Sequence, residues 1–187
     1  MGAISMREAK LTRKTKETDI SLHLLLEGSG KSAVELDDQF LRHMLETLTR
    51  YASFDLKLKA TGDNPHHLIE DVAIALGAAF RQSLADAPVE RIASAMVPMD
   101  DALVTVSVDI VDRPYCDADC PDPLYSHFLR SFSMSSGITL HIIVHRGLDD
   151  HHVIEASFKA LGIALKKAVV PRGSVLSTKD AVKFRSG

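Results

Sequence analysis

The chain has only two cysteines, Cys116 and Cys120, and no tryptophan among 187 residues. Two cysteines make no disulfide framework, so a chain of this length must hold its fold by a buried apolar core. It has no excess of positive charge. Its 22 lysines and arginines face 25 acidic residues, a net charge of −3, and no basic stretch stands out that would track a nucleic-acid backbone. It has no long hydrophobic run. Residues 138–144 are interrupted by His141 and fall far short of a bilayer span. A secretory n-region and h-region are also missing. Residues 1–5, ahead of Met6, read as a vector remnant or an alternative start and are set aside. These absences lead us to expect a cytoplasmic globular protein with neither a nucleic-acid nor a membrane partner.

What the chain does have is histidine. There are nine, and four of them form two adjacent pairs, His66-His67 and His151-His152. The pairs mark an internal repeat. Shifted by 85 positions without a gap, Gly62 falls on Gly147, His66 on His151, His67 on His152 and Glu70 on Glu155. Ala75, Leu76, Gly77 and Ala79 fall on Ala160, Leu161, Gly162 and Ala164. Small apolar residues match by chance, but a repeated His-His-x-x-Glu does not come so cheaply. The chain therefore reads as two similar halves, 1–87 and 88–187, forming one compact catalytic unit.

Each half carries the same order of elements. Alternating apolar and polar residues predict strands at 54–59, 104–111 and 139–144. A turn then leads into a helix, at 66–86 and at 151–170, with Asp150 as the expected N-cap of the second. A further helix is predicted at 38–52. Strands grouped ahead of helices indicate an α+β class rather than strict alternation. The stretch 116–121 reads as a loop, because one C-x-x-x-C without a second pair is a weak metal signal.

Residues four apart share a helix face, whereas neighbours diverge by about 100°. His66 with Glu70, and His151 with Glu155, can thus each grip one ion, while His67 and His152 point elsewhere. Adjacent histidines suit two metals better than one. Imidazole and carboxylate donors suit Mn, Fe, Zn or Ni, and the lack of thiolate makes zinc less favoured. The order of ligands differs from the H-E-x-x-H protease helix.

Several further motifs carry a family resemblance that spans roughly residues 10–179. They are Arg13-Lys14-Thr15-Lys16-Glu17-Thr18, Phe40-Leu41-Arg42-His43-Met44-Leu45, His66-His67-Leu68-Ile69-Glu70-Asp71 and Pro98-Met99-Asp100-Asp101-Ala102-Leu103. Asp112-Arg113-Pro114-Tyr115, Thr139-Leu140-His141-Ile142, His151-His152-Val153-Ile154-Glu155-Ala156 and Ser177-Thr178-Lys179 follow in order. Together these resemble imidazoleglycerol-phosphate dehydratase. The resemblance implies two halves, each a mixed sheet with two helices, with the helices packed between the sheets. It implies two manganese ions per subunit. One would be held by His43, His67, His151 and Glu155, the other by His66, Glu70, His141 and His152. It implies a phosphorylated imidazole substrate whose phosphate meets Arg91, Arg113, Ser177, Thr178 and Lys179, and it makes Glu17 the acid–base residue. In the expected reaction, the metals stabilise an imidazolate, the ring expels hydroxide to form a diazafulvene, and a carboxylate removes the neighbouring proton. A 24-mer built from trimers, with sites between subunits, is also implied.

The chain departs from the family pattern at Asn64-Pro65, Val111-Asp112, Ile92-Ala93 and 116–121. His23, His127 and His145 match no motif and read as satisfied structural histidines. The competing reading is a non-catalytic metal-binding assembly protein of the same fold.

Overall fold

The computed structural model describes residues 6–85 and 87–176. The first sheet contains β1 (Glu8–Lys14), β2 (Thr18–Leu25), β3 (Ser32–Glu35) and β4 (Asp55–Gly62), in the order β1-β2-β4-β3. The second contains β5 (Ile92–Met99), β6 (Ala102–Ile110), β7 (Tyr115–Ala118) and β8 (Ile138–Arg146), in the order β5-β6-β8-β7. In each sheet only the last pair is parallel, β3 with β4 and β7 with β8. Both sheets are therefore mixed and share one topology.

Strand alternation explains why each sheet has a core face. In β2, Ile20, Leu22 and Leu24 are buried, and in β6, Val104, Val106 and Val108 are buried. Four helices cover these faces: α1 (Gln39–Ala52), α2 (Pro65–Leu84), α3 (Pro123–Ser136) and α4 (Asp150–Ala168). α1 and α2 pack on the first sheet, and α3 and α4 on the second. α1 also packs on α4, and α2 on α3, so the helices form a layer between the sheets. This is the α+β arrangement of two similar halves that the repeat implied.

Every helix starts at a side-chain cap that satisfies a free backbone N–H. Asp38 accepts from Leu41, Asn64 from His67, and Asp122 from Leu124 and Tyr125. The cap of α4 is Asp149, which accepts from the His151 N–H. That corrects the expectation of Asp150, which instead lies in the first turn, where a carboxylate meets the positive end of the helix dipole. α2 ends at Leu84, and Asp86 lies outside the described residues.

A second difference lies at 116–121. Residues Tyr115–Ala118 form β7, which extends the sheet alongside β8. The strand half-buries Cys116, and burial pushes the thiols of Cys116 and Cys120 up to about 11. Both are protonated thiols at neutral pH rather than thiolate ligands.

The repeated glycine has a packing reason. A Cβ on Gly162 would lie 2.8 Å from the Leu48 carbonyl oxygen of α1, and one on Gly77 would lie 2.7 Å from the Phe132 carbonyl oxygen of α3. Only hydrogen lets each helix pair approach backbone to backbone. Alanine at either position should cost about 1–3 kcal/mol, the usual range for overpacking. Gly173 has nothing within 4 Å of its Cβ position, so alanine there should change stability by less than about 0.5 kcal/mol. Urea midpoints of the three variants check this. Equal midpoints would remove the packing explanation.

Candidate metal centre

The helix ends deliver the histidines. His43 projects from α1, and His151 and Glu155 project from α4 one turn apart. The Nε2 atoms of His43 and His151 both lie 3.2 Å from Glu155 Oε2. The other carboxylate oxygen, Oε1, accepts from Lys159 Nζ at 2.9 Å. Burial raises the Glu155 carboxyl, but hydrogen bonds from Lys159 and His43 outweigh it and leave the group below the usual glutamate range. Three donor atoms thus converge on one point, with an anionic oxygen among them. The edge of this cluster is walled by Phe40, whose ring lies 5.0 Å from that of His151.

The second cluster lies between α2 and α3. His66 Nε2 is 3.9 Å from Glu70 Oε2, and His127 Nε2 is 3.2 Å from Glu70 Oε1. The His66 and His127 rings stack with centroids 5.2 Å apart. The candidate ligand atoms of each cluster, His43/His151/Glu155 and His66/Glu70/His127, lie within 4.8 Å of one another. A third group, Glu17, Asp63 and His67, meets the same distance test.

The second histidine of each pair is held by an aspartate. His67 Nδ1 donates to Asp63 Oδ1 at 2.7 Å, and His152 Nδ1 donates to Asp101 Oδ1. Each contact raises the pKa of its imidazole. With Nδ1 bound in this way, Nε2 is the nitrogen left to meet a ligand, the usual orienting role of a carboxylate behind a histidine. Asp101 also accepts the backbone N–H groups of Leu148 and Asp149, so it ties the turn before β6 to the start of α4. His152 first, and then these two amides, hold its carboxyl well below the usual carboxylate range.

Glu17 sits in the β1–β2 turn with Oε2 3.7 Å from His67 Nδ1. Its backbone carbonyl accepts from the Asp63 N–H, which ties the hairpin to the start of α2. Asp71, buried on α2, accepts from Arg13 at 2.6 Å and from the Thr18 hydroxyl. The hairpin that carries Glu17 is therefore pinned at both ends.

The remaining expected residues are spread out. His141 lies exposed on β8, its ring 5.4 Å from that of Tyr115, and joins neither cluster. Arg91 pairs through Nε and Nη2 with Asp109, while its Nη1 donates to the Leu176 carbonyl at 2.7 Å. Arg113 is exposed, and its carbonyl accepts from Thr139. Ser177, Thr178 and Lys179 lie outside the described residues. Sequence reasoning missed His127, and it also missed Lys159, Asp63, Asp101 and Asp71. His23 is satisfied by Glu8 and His145 by Thr105, as expected. His127 differs, because its buried Nε2 makes no hydrogen bond.

Fold and site together define a duplicated α+β protein with paired histidine–carboxylate clusters of metal-ligand type. The chain belongs to the imidazoleglycerol-phosphate dehydratase family, whose model matches residues 37–165. This is a family of enzymes, lyases of histidine biosynthesis. The imidazoleglycerol-phosphate dehydratase of Methanothermobacter thermautotrophicus is 44% identical, over 94% of this chain and 98% of its own. That of Gluconobacter oxydans is also 44% identical, over the same shares. Among solved structures, the Pyrococcus furiosus enzyme has a TM-score of 0.83 at 38% identity, covering 92% of this chain and 100% of that one. The Staphylococcus aureus enzyme has a TM-score of 0.77 at 28% identity, over 88% and 99%. Among the described residues, no helix is long and apolar enough to cross a membrane.

The Lys159–Glu155 pair is nearly buried, so Lys159→Met should destabilise the metal-free protein by about 1–3 kcal/mol, the scale of a buried group left unpaired. Glu155 is held below its ordinary value, so this stability is complete above the usual glutamate range. It is lost as pH falls through the lowered value. Chelator-treated wild type and variant should therefore differ in thermal midpoint at pH 7, and the gap should shrink as pH falls below the usual glutamate range. A pH-independent gap would show that the effect is packing and not charge.

Proposed function

We propose that the chain removes water from D-erythro-imidazole glycerol phosphate to give imidazole acetol phosphate, using two manganese ions per subunit. The observation that carries this reading is the pairing of two histidine–glutamate clusters with a carboxylate, Glu17, beside His67. The donor set fits such ions. His43, His151 and Glu155 converge without a metal to hold them together, and the buried His127 Nε2 has no hydrogen-bond partner. Imidazole and carboxylate donors, with protonated cysteines elsewhere, suit manganese.

One ion takes His43, His67, His151 and Glu155, and the other takes His66, Glu70, His141 and His152. His67, His141 and His152 lie outside the His43/His151/Glu155 and His66/Glu70/His127 clusters, His67 grouping instead with Glu17 and Asp63. Their separation from those clusters supports sites shared between subunits, and hence a homo-oligomer; we read it as a cytoplasmic 24-mer built from trimers. The two halves, 1–87 and 88–187, work as one catalytic unit.

The chemistry is difficult because the proton to be lost sits on a carbon with no carbonyl beside it. The leaving hydroxyl sits on the carbon attached to the ring. Bound divalent ions supply Lewis-acid stabilisation of negative charge on the imidazole and a template for it. The residues do the rest. Arg91, Arg113, Ser177, Thr178 and Lys179 hold the phosphate, for which guanidinium and ammonium groups are suited. Arg91 already grips the Leu176 carbonyl, one residue before Ser177, which supports a shared location. Glu17 takes the C–H proton after the ring-attached carbon has lost its hydroxide, the hydroxide and that proton leave together as water, and the resulting enol becomes the ketone. Its anchorage through Asp63, and that of its hairpin through Asp71, keep the carboxylate in place.

The test is turnover of the phosphorylated substrate by manganese-loaded protein. Glu17→Gln should keep its metal content and lose roughly 10²-fold or more in kcat, the scale of a missing acid–base group. Glu70→Ala should instead lose metal. Two bound manganese ions without turnover in the wild type would make the chain a metal-binding assembly protein. Wild-type turnover in Glu17→Gln would move the proton transfer to another group.

A further inference from the structure

The backbones of Arg91 and Arg113, the two arginines assigned above to the phosphate, are fixed on either side of one aspartate. Asp109 of β6 stands in register with Ile92 of β5 on one side and with Thr139 of β8 on the other. Arg91 is the residue just before β5. Arg113 lies between β6 and β7, and its carbonyl accepts from the Thr139 hydroxyl at 2.9 Å. Strand alternation turns Asp109 and Thr139 to the face opposite the buried Val108, Ile138 and Leu140.

Arg91 is held in both its main chain and its side chain. Its φ is 70°, a left-handed value that a residue other than glycine keeps only where its surroundings impose it. Here the Arg91 N–H donates to the Ala168 carbonyl at 2.8 Å, and the Arg91 carbonyl accepts from the Ile110 N–H at 3.1 Å. The guanidinium meets Asp109 as a fork, with Nε 2.5 Å from Oδ1 and Nη2 2.8 Å from Oδ2. Nη1 donates to the Leu176 carbonyl at 2.7 Å. Among the described residues these contacts engage three of its five N–H groups, and two are left to offer an anion. The segment that reaches Leu176 is itself laid against the chain leading into Arg91. The Glu90 N–H donates to the Val170 carbonyl, and the Arg172 N–H to that of Pro88.

We propose that Asp109 is the positioning residue of the phosphate site: it sets the Arg91 guanidinium in the orientation that meets the anion, and through Arg91 Nη1 it holds the residue that precedes Ser177. The inference rests on reading Arg91 as a phosphate ligand. A loose arginine side chain loses rotamer freedom when its anion arrives, and the fork removes that loss in advance. Two carboxylate oxygens against two N–H groups fix the plane of the guanidinium as well as its place, which a point charge does not. Asp109 stays behind Arg91 and touches neither the substrate nor the reacting atoms. Its effect therefore belongs to binding and not to proton transfer.

The experiment is steady-state kinetics of the manganese-loaded, full-length protein, with inorganic phosphate and imidazole as separate inhibitors. Phosphate reports on the anion site and imidazole on the ring site. Asp109→Asn places an amide donor against Arg91 Nη2 and breaks the fork. It should raise both KM for the phosphorylated substrate and the inhibition constant of inorganic phosphate by about 10-fold, the scale of one ordered side chain set loose. It should leave kcat, imidazole inhibition and metal content within about threefold of wild type, the pattern of lost uniform binding. Asp109→Glu restores a carboxylate and should bring both phosphate readings back to within about threefold. Phosphate readings of Asp109→Asn that match wild type would overturn the proposal. Tighter phosphate binding would overturn it too, by making Asp109 a competitor of the anion. Equal weakening of phosphate and imidazole, or weakening that Asp109→Glu fails to restore, would assign Asp109 to packing and overturn it as well. A wild type without turnover would instead overturn the proposed reaction, and this proposal with it.

Discussion

The site depends on two close helix contacts, Gly162 against α1 and Gly77 against α3. A helix turn alone puts His151 with Glu155, and His66 with Glu70, on one face. It cannot bring in a third donor from another helix. That needs backbones near enough for a side chain to cross, and a Cβ at either glycine would meet a backbone carbonyl below 3 Å. The same contact occurs twice because the chain is a repeat, and so the donor cluster occurs twice. The sheets serve this layer by covering it, and their alternating strands supply most of the buried aliphatic surface that holds the helices in place.

Around the clusters, carboxylates fix what the helices leave loose. Asp63 and Asp101 each take an Nδ1 proton and so choose which nitrogen of His67 and His152 faces outward. Lys159 occupies one oxygen of Glu155 and leaves the other to the histidines. Asp71 pins the hairpin that carries Glu17 through Arg13 and Thr18. These contacts give the Arg13–Thr18 stretch and Asp71, neither of which is an expected metal ligand, a structural role. Of the two aspartates that orient histidines, Asp101 is itself held by the backbone amides of Leu148 and Asp149.

Much of this was legible in the chain. Period and repeat placed α1, α2 and α4, the strands at 54–59, 104–111 and 139–144 and the His-x-x-x-Glu pairs, because those signals are local, but they did not place α3. Contacts between distant segments were not legible. His127 matches no motif and has no counterpart at the shift of 85 that aligns α2 with α4; it falls on His43 only at 84, the spacing of α1 and α3. Asp149 displaced Asp150 as a cap because a cap is chosen by backbone angle, and two adjacent aspartates look alike in sequence. β7 was hidden because a four-residue strand at a sheet edge has too few residues to show alternation.

The central claim is that one chain holds only part of each metal site. Mixed assemblies test it most directly. Glu155→Ala removes an in-chain donor, and His67→Ala removes a donor expected from a neighbour. The two variants would be unfolded, mixed in equal amounts and refolded together with manganese. If the site is shared, a chain of each type can complete it, and about a quarter of these sites should recover tight binding under random assembly. Neither variant should recover any when refolded alone. A mixture that binds no more tightly than its two components would contradict a shared site and place all donors of that ion within one subunit.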